Sequence, residues 1–302
     1  MGRWSRSSVV GADGVELAVH AQGPPEAPVV LLVHGFPDDH HVWDLVAADL
    51  ATDHRVIAHD VRGAGASGVP TLLDGYRMMA LIEDIDAVAT SVMASVAGDG
   101  RVHLVGHDWG SIQSWAAALH PQFGERFASY TSISAPPLQH VGPWRTAKLA
   151  AGPPGWWAMA NQALRSSYIP AFHTRLAARV WRRWVAPRWR GQLEGLGAIT
   201  DDDWPSANVA DDGARGLELY RANIGVLHPR ALPPIAPPTD VPVQLLVALE
   251  DPHVTPALLD GLDALATSFT RTEVAAGHWV PRTHPVEVAA AVRTHVAAHP
   301  AG

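Results

Sequence analysis

Six short apolar runs constrain the fold of this 302-residue chain more than any other feature. They are PVVLLVHG (28–35), HRVIAHD (54–60), RVHLVGHD (101–108), ASYTSIS (128–134), PVQLLVAL (242–249) and FTRTEVAAG (269–277). Short apolar runs of this kind are typical of strands that are covered on both faces, as in a parallel sheet. Helical patterns such as SIQSWAAALHP and PVEVAAAVRTHVAAH lie between them. The order therefore predicts an α/β fold with βαβ crossovers.

Two departures from this rhythm complete the predicted architecture. SSVVGADGVELAVHA, near the N-terminus, is typical of a β-hairpin with its turn at Asp13-Gly14. Between about His140 and Pro237 the strand pattern stops, and seven of the chain's twelve tryptophans lie in this interval. We interpret the interval as a helical cap inserted after the sixth strand. The predicted boundaries are 1–139 for the first part of the core, 140–237 for the cap and 238–302 for the second part of the core.

Composition and charge exclude several classes of function. The chain has 22 Lys and Arg against 30 Asp and Glu, which disfavours bulk attraction to nucleic acid or to an anionic membrane. It has no cysteine, which excludes disulfides, thiolate nucleophiles and zinc-thiolate sites. None of its 17 histidines has an HExxH spacing, so we expect no metal ion. No apolar run has the length of a signal sequence or a membrane span, so the expected location is cytoplasmic.

The segment GHDWG (106–110) connects a predicted strand to a predicted helix. Glycines stand two residues before and two residues after Asp108. A tight strand-to-helix turn leaves no room for side chains at those positions, so the central side chain projects above the sheet edge. An aspartate at a helix start is more often an N-cap, but the rest of the sequence favours a nucleophile here. We predict that Asp108 is the nucleophile and that the Trp109 amide stabilises an oxyanion beside it.

Three other stretches supply partners for such a nucleophile. HGFP (34–37) follows the first long strand, and its Phe36 amide is the candidate second oxyanion donor. GHW (277–279) follows the last strand and offers His278 as the general base. The acid is expected after the preceding strand, where we choose Asp251 because it directly precedes a turn-forming proline. Glu250 stays open as the alternative, since the sequence alone does not determine strand register.

Together, HGFP, DVRGAGAS, GHDWGS, a late aspartate and GHW resemble the α/β-hydrolase superfamily and, within it, the epoxide hydrolase branch. The resemblance spans the whole chain. It implies an α/β-hydrolase fold, with a mostly parallel eight-stranded sheet flanked by helices, an inserted helical cap and no cofactor. In that branch two cap tyrosines donate hydrogen bonds to the epoxide oxygen. Tyr220 in ELYRAN and Tyr168 in RSSYIPAF resemble this pair, whereas Tyr76 and Tyr130 are expected in the core.

The implied reaction is hydrolysis of an apolar epoxide to a vicinal diol. A carboxylate that opens a strained ring forms an ester that water can cleave, whereas a serine would form an ether. Asp108 would form this ester. His278, supported by Asp251, would activate the water, while the Phe36 and Trp109 amides hold the oxyanion.

Two alternatives stay open at this stage. One is a haloalkane or haloacetate dehalogenase with the same nucleophile, although Phe36 stands where haloalkane dehalogenases typically carry a halide-binding asparagine. The other is a ligand-binding protein that keeps the hydrolase fold without turnover.

The one basic block is RLAARVWRRWVAPRWRG (175–191), in which Leu176, Val180, Trp181 and Trp184 fall on one face of a helix. We interpret it as a cap helix with a solvated arginine face, and the alternative is a patch that contacts acidic lipids or fatty-acid carboxylates. The core also resembles the hydrolase part of actinobacterial proteins that are fused to a short-chain dehydrogenase. The expected partner is a small apolar or lipid-like epoxide, with no nucleic acid and no stable membrane insertion. The chain is expected to be a monomer or homodimer.

Overall fold

The computed structural model describes residues 4–11, 13–94, 100–225 and 237–301. Its strands are β1 (Ser5–Val10), β2 (Glu16–Gln22), β3 (Val29–Val33), β4 (Arg55–His59), β5 (Val102–His107), β6 (Phe127–Ile133), β7 (Val243–Ala248) and β8 (Phe269–Val274). They form one sheet in the order β1-β2-β4-β3-β5-β6-β7-β8. The β1–β2 and β2–β4 pairs are antiparallel and all other neighbours are parallel. The predicted fold class, a mostly parallel eight-stranded sheet flanked by helices, is confirmed.

The helices cover both faces of this sheet. They are α1 (Asp44–Leu50), α2 (Met78–Met93), α3 (Trp109–Ala118), α4 (Val141–Ala150), α5 (Pro153–Arg165), α6 (Tyr168–Phe172), α7 (Ala177–Val180), α8 (Trp189–Gly195), α9 (Val209–Asn223), α10 (Val280–Thr283) and α11 (Pro285–Ala298). Successive side chains of a strand point to opposite faces. Leu31 of β3 accordingly packs in the core that includes residues of α2 and α3, and Leu32 in the core that includes residues of α1 and α11.

The last strand, β8, differs from its prediction. It was expected to be covered on both faces, but four of its six residues are exposed. The reason is its position, because β8 lies at the edge of the sheet and pairs only with β7. Its charged residues, Arg271 and Glu273, are typical of edge strands, where charge discourages pairing with a second sheet.

Helices α4 to α9 all lie between β6 and β7. We call the segment Val141–Asn223 the helical insertion. Its position follows the sixth strand, as predicted for the cap. The domain boundaries at 140 and 237 stay predictions, and residues 226–236, which include the start of the proline-rich stretch, lie outside the described residues. Within the described part of the chain, every helix is too short or too polar to cross a bilayer.

The basic block does not form one regular helix, and its four apolar residues do not share one face, because Trp181 points away from the other three. A π-helical turn, Trp181–Val185, follows α7 directly. Trp181 is buried, whereas Leu176, Val180 and Trp184 are exposed by 62%, 47% and 56%. The shared face expected from the sequence is therefore wrong. Successive helical residues are about 100° apart, so Trp181 can point inward while its neighbour Val180 points outward.

Candidate active site

Asp108 occupies the strained turn between β5 and α3. Its φ of 53° and ψ of −123° are rare for a residue with a side chain. A Cβ at Gly110 would overlap the carbonyl oxygen of Val33, and a Cβ at Gly106 would lie 2.5 Å from the carbonyl oxygen of Gly110. Both flanking positions therefore require glycine, and the turn raises the Asp108 side chain above the sheet edge.

Two backbone amides hold the Asp108 carboxylate. The Phe36 amide donates to Oδ1 at 2.7 Å, and the Trp109 amide also donates to this carboxylate. A Cβ at Gly35 would overlap Oδ1, so glycine at that position lets the HGFP segment approach. Burial raises the pKa of Asp108, but hydrogen bonding and the charge of His278, together with the Trp109 amide, bring that pKa below 3.8. The carboxylate is therefore ionised at neutral pH.

The His278 imidazole lies between two carboxylates. Its Nδ1 is 2.7 Å from Oδ2 of Asp251, and its Nε2 is 3.4 Å from Oδ2 of Asp108. The other oxygen of Asp251 accepts the amides of His253 at 2.7 Å and Val254 at 3.0 Å. Asp251 is buried, whereas Glu250 is exposed. The geometry thus pairs the histidine with Asp251.

This arrangement determines the charge of His278. Burial lowers the pKa of His278, but the charges and hydrogen bonds of Asp251 and Asp108 outweigh it and raise the pKa to about 10. Burial raises the pKa of Asp251, which the charge and hydrogen bond of His278 bring below 3.8. At neutral pH the site therefore holds an imidazolium between two carboxylates. His278 can act as a base only after one of them loses its charge.

The helical insertion brings Tyr168 and Tyr220 to the same site. Their ring centroids are 6.1 Å apart, and their hydroxyl groups are hydrogen-bonded to each other. Tyr220 packs edge-on against Trp109 and Phe36, and the Trp109 indole donates a hydrogen bond to its hydroxyl. Burial raises the pKa of both tyrosines, and the negative charge of Asp108 raises both further. Both phenols therefore stay protonated at neutral pH and can donate hydrogen bonds.

The structure brings all the predicted site residues together. Contacts already described connect the members of this group, which are Phe36, Asp108, Trp109, Tyr168, Tyr220, Asp251 and His278. Their catalytic roles stay predictions. The two tyrosines assigned to the core, Tyr76 and Tyr130, are buried there at 3% and 0% exposure.

Sequence reasoning gave no role to Asp38, which directly follows HGFP. This buried carboxylate accepts the indole N–H of Trp204 at 2.9 Å and that of Trp279 at 3.1 Å. Burial raises the pKa of Asp38 to about 7, although the two hydrogen bonds oppose the rise. Asp38 thus connects the helical insertion, through Trp204, to the residue after His278. Its partners are 166 and 241 residues away, so no local pattern could identify them.

A second unexpected buried carboxylate, Asp212, lies on α9. Its burial, followed by the charge of Asp39 in the core, raises its pKa to about 7. The nearest guanidinium described for it is that of Arg215, at 3.8 Å. Asp212 therefore faces the core without a close ion pair to offset its desolvation.

One buried cluster has the side-chain types of a metal site. The rings of His20 and His40 stack with centroids 3.4 Å apart, and both lie beside Asp60. Asp60 interacts directly with His20 Nε2 at 3.1 Å and with His40 Nδ1 at 2.7 Å, and it accepts the amides of His40 and Ala66. The carboxylate is satisfied without an ion, so we interpret the cluster as a structural connection between β2, β4 and the segment after β3.

Comparison with known proteins places these observations in a family context. A family model described as alpha/beta hydrolase fold matches residues 28–285. The probable oxidoreductase EphD of Mycobacterium tuberculosis is 34% identical over 295 residues, which cover 93% of this chain and 47% of that protein. Epoxide hydrolase A of the same species is 36% identical over 131 residues, covering 43% of this chain and 38% of that protein.

A solved structure extends the similarity to nearly the whole chain. It belongs to a study of epoxide hydrolases of the alpha/beta hydrolases superfamily in metagenomes from hot environments. The two structures align with a TM-score of 0.76 and 26% sequence identity, covering 98% of this chain and 100% of the other. The present chain spans about half the length of the EphD proteins that it matches.

Proposed function

The chain belongs to the α/β-hydrolase fold family, and we propose that it hydrolyses small apolar epoxides to vicinal diols through an ester on Asp108. The observation that carries this proposal is that the strained turn presents the Asp108 carboxylate to two phenolic hydroxyls from the helical insertion. A carboxylate that opens an epoxide forms an ester that water can cleave, whereas a hydroxyl nucleophile would form an ether. Relatives named epoxide hydrolases support the same reaction. The reaction requires no metal and no organic cofactor.

In the first step, Asp108 attacks a ring carbon of the epoxide. Oδ1 is held by the Phe36 amide, and Oδ2, which faces His278 Nε2 at 3.4 Å, is the oxygen that attacks. The carbon–oxygen bond of the ring breaks, and the ring oxygen takes its electron pair. Hydrogen bonds from Tyr168 and Tyr220 stabilise the developing alkoxide, which then takes up a proton. The product of this step is a hydroxyalkyl ester.

Ester formation switches the role of His278. The ester is neutral, so one of the two charges that raise the pKa of His278 disappears. The imidazolium then releases a proton, which balances the proton taken up by the ring oxygen. The neutral imidazole, oriented by Asp251, is able to deprotonate a water molecule. The site thus produces its base only when the base is needed.

In the second step, the activated water attacks the Asp108 carbonyl carbon. Oδ1 becomes the oxyanion, and the amides of Phe36 and Trp109 are already hydrogen-bonded to the carboxylate that carries it. Collapse of this intermediate breaks the bond between the carbon and Oδ2. The diol leaves with that oxygen, and the carboxylate regains one from water.

The first test is the intact mass of His278→Gln after exposure to styrene oxide and a long-chain terminal epoxide. Loss of the base should trap the ester, so we expect a gain equal to one whole epoxide, located at Asp108 by peptide mapping. Adding Asp108→Asn should abolish the gain. A gain equal to an alkyl group without its halogen, from a haloalkane, would instead identify a dehalogenase. No gain from any compound, with the variant correctly folded, contradicts the ester mechanism.

A second test follows the oxygen atoms. The wild-type enzyme, in excess over epoxide, turns over once in heavy-oxygen water. We expect the label in the Asp108 peptide and unlabelled oxygen in the new hydroxyl of the diol, because that oxygen comes from Oδ2. Label in the first diol would mean that water attacks the epoxide directly.

A further inference from the structure

The helical insertion carries an exposed surface that the proposed reaction does not use. Residues 175–190 contain no Asp or Glu and six arginines, in a chain whose formal net charge is −8. All six are exposed, and they are Arg175, Arg179, Arg182, Arg183, Arg188 and Arg190. Leu176, Val180 and Trp184 are exposed among them. We call these nine residues the arginine-rich surface.

The apolar residues of this surface form a stripe along the helical segment. The Val180 amide donates to the Leu176 carbonyl at 2.9 Å, so these two residues are one turn apart, and Trp184 follows four residues later. Exposing three large apolar side chains to water is unfavourable, at about 25 cal/mol per Å² of apolar area. Because the stripe is exposed and rimmed with charge, it has the character of a contact surface.

Most of the positive charge here is not neutralised within the molecule. Arg182 forms an ion pair with Asp211 at 2.8 Å. The guanidinium groups of Arg183 and Arg188 lie over the Trp184 ring, at 5.2 and 5.8 Å from its centroid, and this stacking leaves their charge intact. Among residues 4–11, 13–94, 100–225 and 237–301, no carboxylate forms an ion pair with Arg179 or Arg183.

We propose that the arginine-rich surface docks on the headgroup layer of an anionic lipid bilayer. Arginines would contact lipid phosphates, while Trp184 and the two aliphatic side chains enter the interface between headgroups and acyl chains. The rest of the chain has 16 Lys and Arg against 30 Asp and Glu, so an anionic membrane repels the remainder of the molecule on average. A symmetric second copy is a poorer partner, because it would bring the same arginines face to face.

This surface lies on the outer side of a segment whose inner side reaches the candidate active site. Trp181 is buried, and its ring centroid is 5.1 Å from that of Phe36, whose amide holds Asp108. A docked molecule would therefore carry its site close to the bilayer. Docking itself does not depend on the proposed reaction, because it is measured as binding.

The experiment is flotation of the 302-residue chain with phosphatidylcholine vesicles, with or without phosphatidylglycerol. We expect binding only to the anionic vesicles, and release at high salt. The double variant Arg179→Glu/Arg183→Glu should bind at least about 25-fold more weakly, from roughly fivefold for each arginine lost. Arg6→Glu/Arg145→Glu makes the same charge change at exposed positions of β1 and α4, outside the arginine-rich surface, and should bind nearly as well as the wild type. Thermal unfolding checks that each variant is folded.

A fluorescent label identifies the face that contacts the lipid. The chain has no cysteine, so Val180→Cys offers one labelling site, and Val10→Cys on β1 is an exposed control. We expect a blue shift with anionic vesicles from the label at 180 and none from the label at 10. Failure of the wild type to bind, equal binding by the double variant, or equal shifts at both labels would overturn the proposal. A shift without vesicles that accompanies a doubled mass would also overturn it, by identifying a self-contact.

Discussion

Replacing Asp251 by asparagine should separate the two chemical steps of the proposed reaction. In the variant, the side-chain oxygen keeps the amides of His253 and Val254, while the new NH₂ group faces Nδ1 of His278. That group can only donate, so the ring proton moves to Nε2, which faces Asp108. A protonated Nε2 cannot accept a proton from water. Ester formation, which needs only the Asp108 carboxylate and the tyrosines, should continue.

The magnitude follows from the electrostatics of the buried site. The rise of the His278 pKa from 6.5 to about 10 corresponds to roughly 5 kcal/mol in favour of the imidazolium. Burial opposes that rise, and the charge of Asp251 is the largest contribution in favour of it. Removing this charge should therefore lower the His278 pKa. With the wrong tautomer added, we expect ester hydrolysis to slow by about 10³- to 10⁴-fold.

Rapid quenching followed by intact mass measurement tests this prediction. Asp251→Asn should accumulate the Asp108 ester within the first turnover, while the wild type turns over without visible ester. Glu250→Gln is the matched control, because Glu250 is adjacent and exposed, and its turnover should change less than about twofold. The reasoning is refuted if Asp251→Asn hydrolyses its ester at the wild-type rate, or if the control variant accumulates ester instead.

Three further predictions test other parts of the structure. Tyr168→Phe should slow ester formation by roughly 10²-fold, and Tyr168→Phe/Tyr220→Phe by more, with ester hydrolysis unchanged; equal slowing of both steps would contradict the proposed role. Gly110→Ala should cost more than about 3 kcal/mol in the free energy of unfolding, whereas Gly142→Ala, where a Cβ meets open space, should be neutral or stabilising; chemical denaturation compares them. Asp212→Asn should stabilise the fold by about 1–3 kcal/mol at pH 8, and this gain should shrink toward pH 4. The raised pKa of Asp212 means that the carboxyl binds its proton more tightly in the folded than in the unfolded chain, so the stability of the wild type falls as the pH rises through this range. A gain that does not depend on pH would contradict the raised pKa.

The strained turn at Asp108 was predictable because its causes are local. GHDWG places glycine at the two positions where a Cβ would meet backbone atoms, and the residues before and after it have the patterns of a strand and a helix. The alternation of apolar runs and helical patterns likewise predicted the α/β fold. It did not predict which strand lies at the edge, because that depends on the order of strands in the sheet and not on their order in the chain.

The choice between Glu250 and Asp251 required the structure. Strand β7 ends at Ala248, and the turn that follows leaves Glu250 in solvent and directs Asp251 into the core. Two amides and His278 then satisfy the buried carboxylate. Where a strand ends relative to its neighbours is a property of the whole sheet, so the sequence favoured Asp251 only through the proline that follows it and left Glu250 open.

The opposite directions of Trp181 and Trp184 also required the structure. Both are tryptophans within one basic block, but Trp181 is covered by Phe36 and α9, whereas Trp184 is 56% exposed and has two arginine guanidinium groups over its ring. Periodicity describes how residues are distributed around a helix, and the packing partner decides which side is inside. The role of Asp38 was likewise not predictable from periodicity, because its two indole partners come from distant segments.

The sequence by itself determined the fold class and the strained turn under Asp108, since these depend on backbone sterics and on the spacing of apolar residues along the chain. The two tyrosines of the candidate site were expected only from the resemblance to a known family. Only the tertiary structure decided that Asp251 faces His278, that Asp38 and Asp212 are buried, and that the arginine-rich surface is exposed. These features depend on desolvation and on contacts between residues far apart in the chain. The sequence does not distinguish a buried carboxylate or tryptophan from an exposed one, because the surroundings in the folded protein set the charge and the partners of the side chain.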